Sequence, residues 1–138
     1  MHNLLSKKQI EETEYFLPDF DKINPITHVI PVAVQNIETK EVILIAYTNQ
    51  LAINESLKTG IATFWSTSRN ELWVKGATSG QYFDLVEAYV NCEQNSLVYM
   101  VKPQAEGICH TKNKAGMHRN CFYRRLNMST MKLENLNP

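Results

Sequence analysis

The chain has 138 residues, enough for one domain built on a single core and too few for a comfortable second. Fourteen Lys and Arg balance fourteen Asp and Glu, giving a formal net charge of zero, which argues against a general nucleic-acid binder that draws affinity from excess positive charge. Neither the polar start, Met1 to Glu12, nor any later stretch has the apolar run of a secretory signal or a bilayer span, so the expectation is a soluble cytoplasmic protein with no membrane partner.

Residues 1–24 mix Lys, Glu and scattered aromatics and read as an N-terminal arm, with Ile10–Phe16 a candidate short helix stopped by Pro18. Val29–Gln35 and Val42–Thr48 are β-branched runs joined by Asn36-Ile37-Glu38-Thr39-Lys40, which predicts a hairpin. Asn49 is a good N-cap for a helix over Gln50–Lys58, with Leu51, Ile53 and Leu57 roughly on one face and Gly60 placed to end it. Further strands are expected at Ala62–Ser66, Leu72–Lys75, Phe83–Asn91 and Leu97–Lys102. Alternation in the third puts Phe83, Leu85, Glu87 and Tyr89 on one side.

From Gln104 to Arg125 the composition shifts to Gly, Lys, Asn, His and Arg with two cysteines, which reads as a site-bearing loop. Residues 127–138 read as a polar, loosely held tail. The class is therefore α+β: a single small domain over residues 25–126, with a mostly antiparallel sheet and one main helix.

Three cysteines cannot all pair within one chain, so in a reducing compartment they point to metal, catalysis or burial. Cys92 ends a predicted strand, Cys109 and Cys121 lie in the loop, and none belongs to a C-x-x-C pair. Spacing alone leaves a buried thiol at Cys92 as open as a metal ligand. The company adds weight to the metal: His110 follows Cys109, His118 lies between the loop cysteines, and Lys112, Lys114 and Arg119 favour thiolates. Three thiolates leave the fourth tetrahedral position of zinc to a water whose pKa falls to about 7. Neighbouring side chains on extended backbone point opposite ways, so His110 suits proton transfer beside the ion better than sharing it with Cys109. His118 as a fourth ligand would instead close a structural site, while His2 and His28 read as ordinary residues.

The run Phe64-Trp65-Ser66-Thr67-Ser68-Arg69 and the following Leu72-Trp73-Val74-Lys75-Gly76-Ala77-Thr78-Ser79-Gly80 gather hydroxyls, two cations and two Trp. Hydroxyls and cations suit a phosphate and a Trp suits a base, although a hairpin with a polar turn accounts for the same residues.

With that block in place, the sequence resembles the phosphoribosyl-AMP cyclohydrolase family from about Asp19 to Arg125. The resemblance is carried by Ile30-Pro31-Val32-Ala33-Val34-Gln35, Val42 to Asn49, the Trp65 to Gly80 block, Cys92 after a strand, Cys109-His110-Thr111 and Cys121-Phe122-Tyr123-Arg124. It implies a zinc hydrolase of histidine biosynthesis that opens the N1–C6 bond of the adenine ring of a nucleotide substrate. It also implies that Cys92, Cys109 and Cys121 are zinc ligands shared across a homodimer interface and that His110 handles the proton. Trp65, Ser66, Ser68, Arg69, Lys75 and Ser79 become candidates for substrate binding.

The family pattern D-C-D-x-D, associated with magnesium, is here Asn91-Cys92-Glu93-Gln94-Asn95. One carboxylate in place of three puts magnesium at Asn91, Glu93 and Asn95 in doubt, because that hard cation favours carboxylate oxygen. The usual S-R-S-R is Ser66-Thr67-Ser68-Arg69, Gln81 and Tyr89 replace a His and an Arg, and the stretch around Asn113–His118 lengthens the loop. These changes motivate an alternative, a paralogue acting on another nitrogen heterocycle or nucleotide. A second alternative is a non-catalytic zinc module of three cysteines and one histidine.

Overall fold

The computed structural model describes residues 6–23, 25–75, 82–104 and 109–138. The β-branched run after His28 forms its centre. In β1 (Ile30–Asn36) every second side chain points inward, and Ile30, Val32 and Val34 are fully buried. Strand β2 (Val42–Thr48) returns antiparallel, with Ile30 opposite Thr48 and Val34 opposite Leu44. Asn36 holds the turn between them: its side-chain oxygen accepts from the N–H of Glu38 at 2.8 Å and of Thr39 at 3.2 Å.

Asn49 caps α3 (Gln50–Thr59), accepting from the Ala52 N–H at 3.0 Å, and Gly60 ends it at a left-handed φ of 73°. The short α1 (Lys7–Glu11) and α2 (Phe20–Ile23) precede the sheet. The first helix overlaps the expected Ile10–Phe16 only at Ile10 and Glu11: Ser6 and Gln9 form a capping box that sets its beginning earlier, and it ends at Glu11. The buried face of α3 is Ala52, Ile53 and Ser56, whereas Leu51 and Leu57 are 51% and 71% exposed. Leu51 lies more than half a turn round from Ile53, and Leu57 falls in the last turn. The buried Ser56 hydroxyl is satisfied, accepting from the Thr63 N–H at 2.9 Å and donating to the Ala52 carbonyl at 3.0 Å.

A hairpin of β3 (Thr63–Ser66) and β4 (Glu71–Val74) follows, with Phe64 opposite Trp73. Strands β5 (Phe83–Val90) and β6 (Leu97–Pro103) pair antiparallel and complete a four-stranded sheet in the order β2-β1-β6-β5. The pairing of β1 with β6 is parallel, the exception in an otherwise antiparallel arrangement. The expected alternation in β5 holds only to Leu85. A bulge leaves Val86 unpaired and shifts the register, so Ala88 and Val90 stand opposite Tyr99 and Leu97, and the strand is exposed from Val86 onward. The core gathers Ile30, Val32, Val34, Ile43, Leu44, Phe64, Phe83, Leu97, Tyr99 and Val101 between the sheet, α3 and β3.

The C-terminal region is more ordered than its composition indicates. Residues 109–119 fold back on themselves, Cys109 N–H donating to the Arg119 carbonyl at 2.7 Å and Asn113 N–H to the Met117 carbonyl at 2.9 Å. The expected tail forms a second hairpin, β7 (Arg124–Asn127) with β8 (Lys132–Asn135). Asn137 then returns to the first, its carbonyl accepting from Arg119 Nε at 2.7 Å and its side chain bonding Asn113 at 3.0 Å. No helix among the described residues is long and apolar enough to cross a membrane.

Candidate active site

One cleft of about 630 Å³ brings together Trp65, Ser66, Ser68, Arg69, Lys75, Cys109, His110 and Cys121. Its floor is β2 from Leu44 to Tyr47, and one wall is the β3–β4 hairpin. Phosphate-recognising residue types therefore sit on a turn whose backbone is set by Ser66, which accepts from the Arg69 N–H at 3.2 Å and touches the Ser68 hydroxyl at 3.3 Å. The Arg69 guanidinium meets Glu71 at 3.5 Å, an exposed and weak pair that a stronger anion can displace. Trp73 packs its ring 5.5 Å from that of the buried Phe64, which anchors the wall to the core. The described part of the middle block, residues 64–75, is thus both the polar-turned hairpin and the cleft wall. Ser79, together with Gln81, lies outside the described residues.

The opposite wall carries the sulfurs. The Cys121 N–H donates to the Ile43 carbonyl at 3.1 Å, and the neighbouring Asn120 side chain reaches Glu41 at 3.0 Å, so β2 holds this segment directly. Cys109 is fixed by the 109–119 hairpin, where the His118 ring bonds the Cys109 carbonyl at 2.8 Å through Nδ1. That bond gives His118 a bracing role, and His118 does not line the cleft, whereas His110 does.

Burial resists ionisation of Cys109, but the Thr111 hydroxyl at 3.1 Å, the Thr111 backbone, the Cys121 thiol and the Arg119 charge together outweigh it and hold the thiol below its usual range. Cys121 moves the other way. Burial raises it first, then the Cys109 charge and the hydrogen bond to Cys109, against the opposing pull of Lys75. Thr111 is a site residue that its type alone did not reveal.

Cys92 is elsewhere. It lies two residues beyond Val90, which stands opposite Leu97, then Val32, then Ala46, whereas Cys121 is bonded to Ile43 at the other end of β2. Three strand spacings across and five residues along place Cys92 on the order of 20 Å from Cys121 in the same chain. Zinc–sulfur bonds are about 2.3 Å, and among the described residues no three His, Cys, Asp or Glu side chains gather to hold an ion. Two adjoining thiols, one of them disposed to ionise, fit zinc as half of a tetrahedral set. At that separation Cys92 does not join the pair within one chain.

The magnesium positions do not fit that ion. The Asn91 side-chain oxygen accepts from the N–H of Asn95 at 2.9 Å and of Ser96 at 3.0 Å, and its amide donates to the Asn95 side chain at 2.6 Å. The Asn95 amide in turn reaches Glu93 at 3.2 Å. The amides bond one another and leave a single carboxylate, which is too little hard-oxygen charge.

The family model for phosphoribosyl-AMP cyclohydrolase matches residues 44–123, a span holding the cleft hairpin, the sulfurs and His110. A phosphoribosyl-AMP cyclohydrolase of Archaeoglobus fulgidus is 47% identical over 98 residues, covering 71% of this chain and 85% of that protein. One from Sphingopyxis alaskensis is 41% identical over 119 residues, 86% of each chain. A histidine biosynthesis bifunctional protein of Aquifex aeolicus is 40% identical over 96 residues, which are 70% of this chain and 44% of that longer protein. Cleft and relatives together define an enzyme, a cyclic amidine hydrolase. The chain belongs to the phosphoribosyl-AMP cyclohydrolase family.

Proposed function

We propose that this protein is a zinc-dependent hydrolase of histidine biosynthesis that opens the N1–C6 bond of the adenine ring of phosphoribosyl-AMP. The observation that carries the reading is the meeting of Cys109, Cys121 and His110 with Trp65, Ser66, Ser68, Arg69 and Lys75 around one cleft. Zinc, when bound, supplies an acidified water as nucleophile. The water oxygen joins C6, the N1–C6 bond breaks, and His110, free of the ligand set, delivers the proton that N1 needs to leave. Trp65 offers a ring face to the base, and Arg69, Lys75 and the serine hydroxyls offer donors to phosphate.

The ligand set is completed by Cys92 of a second copy, so the working unit is a homodimer. A further observation supports a partner. Tyr89, Val98, Ala33 and Ile45 stand in one cross-strand row on the sheet face turned away from the core, and Ile45 and Tyr89 are each 57% exposed. The self-bonded amides around Cys92 favour turnover without added magnesium. They also keep a second reading alive, a paralogue with the same hydrolytic chemistry on another nitrogen heterocycle.

The test is to incubate zinc-loaded protein with phosphoribosyl-AMP, with and without magnesium, and follow ring opening by absorbance. Zinc-dependent turnover independent of magnesium is the expected result. Zinc binding without turnover would transfer the reading to the paralogue, and a protein that binds no zinc would defeat both.

A further inference from the structure

Gln94 stands out among the polar residues of the fold. It occupies an exposed turn yet is 4% exposed, and its backbone is left-handed at φ 53°, an arrangement that a non-glycine residue adopts against a steric cost. Its side chain is spent entirely on the N-terminal arm: Nε2 donates to the Ile10 carbonyl at 3.0 Å and the Tyr15 carbonyl at 3.1 Å, and Oε1 accepts from the Leu17 N–H at 2.5 Å. These bonds join segments 77 to 84 residues apart.

Helix α1 buries no residue, so this part of the arm is not held by apolar packing of its helix. Lys7 adds only an exposed contact to Glu93 at 4.0 Å. The same turn is braced from within by Asn91, whose carbonyl accepts from the Gln94 N–H at 3.0 Å and whose side chain bonds Asn95 and Ser96. Cys92 lies between these two braces, with an exposed thiol.

We propose that Gln94 and the arm it latches form a positioning device for Cys92, holding the turn so that its sulfur is presented ready for zinc. Cys92 must enter its ligand set from outside the cleft that carries Cys109 and Cys121, so the geometry of its turn is not corrected by neighbouring ligands of its own copy. A pre-set turn removes the ordering that binding would otherwise require, as groups that orient metal ligands do elsewhere. The proposal rests on the reading of Cys92 as a zinc ligand.

Two variants test it in the full-length protein. Gln94→Gly suits the left-handed backbone and deletes the latch, while Gln94→Glu keeps the shape but loses both donated bonds. Hydrogen–deuterium exchange on metal-free protein should quicken across residues 91–96 in both, and at the Leu17 amide in Gln94→Gly, whose acceptor is gone, with β1 and β2 unchanged. Zinc affinity, measured by competition with a chromophoric chelator, should fall by about 10- to 100-fold. Unchanged exchange and unchanged affinity in both variants would overturn the latch. Faster exchange with full zinc affinity would overturn its link to the metal. Wild-type protein that takes up no zinc would overturn the underlying reading of Cys92, and the exchange data would then still judge the latch by itself.

Discussion

At the scale of single residues, His110 divides the catalytic reading from the binding one. It lines the cleft beside the two sulfurs, while His118 spends Nδ1 on the Cys109 carbonyl. His110→Ala should lower kcat/KM by about 10²- to 10⁴-fold, the range for losing a general acid or base, with zinc content unchanged by metal analysis. Loss of zinc along with activity would make His110 a ligand and favour a closed structural site. The grouping of Cys109, His110 and Cys121 around one cleft was legible in the sequence from their residue types, because few other side chains hold metals or move protons at neutral pH. Thr111 and Gln94 were not legible. A threonine and a glutamine carry no such restriction, and their roles come from contacts, one with the Cys109 sulfur and the other with an arm some 80 residues away.

Among the elements, α3 depends on two local devices whose removal is measurable. Asn49→Ala deletes the cap on the Ala52 N–H and should cost about 1 kcal/mol. At Gly60 an added Cβ meets nothing within 4 Å, so Gly60→Ala isolates the left-handed backbone at φ 73° and should also cost about 1 kcal/mol. Both would appear as lower urea midpoints with unchanged slope; an unaltered midpoint would mean that packing, not the caps, sets the ends of α3. The β1–β2 hairpin and this helix were readable because turn and cap chemistry is local. The bulge at Val86 was not, since one unpaired residue shifts the register of β5 without any mark in its alternation. Strands β7 and β8 also escaped notice. Their residues are largely exposed on both faces, so no period of two is written into them, and Asn137, which ties them to the cysteine hairpin, acts mainly through its backbone carbonyl.

For the whole molecule, the decisive fact is that the sheet order β2-β1-β6-β5 sends Cys92 to one end and Cys121 to the other. The parallel pairing of β1 with β6 links residues more than sixty positions apart, and no local pattern announces it. The proposed isologous dimer would let the Cys92 turn of each copy meet the cleft of the other. The most direct measurement is complementation between two inactive variants, Cys92→Ser and Cys109→Ser, each expected to lack both zinc and turnover alone. Co-refolded in equal amounts, half the dimers should be mixed and each mixed dimer should carry one intact site of two, restoring about a quarter of the wild-type zinc content and activity. Full zinc and turnover in Cys92→Ser alone, or none in the mixture, would contradict a site built from two chains.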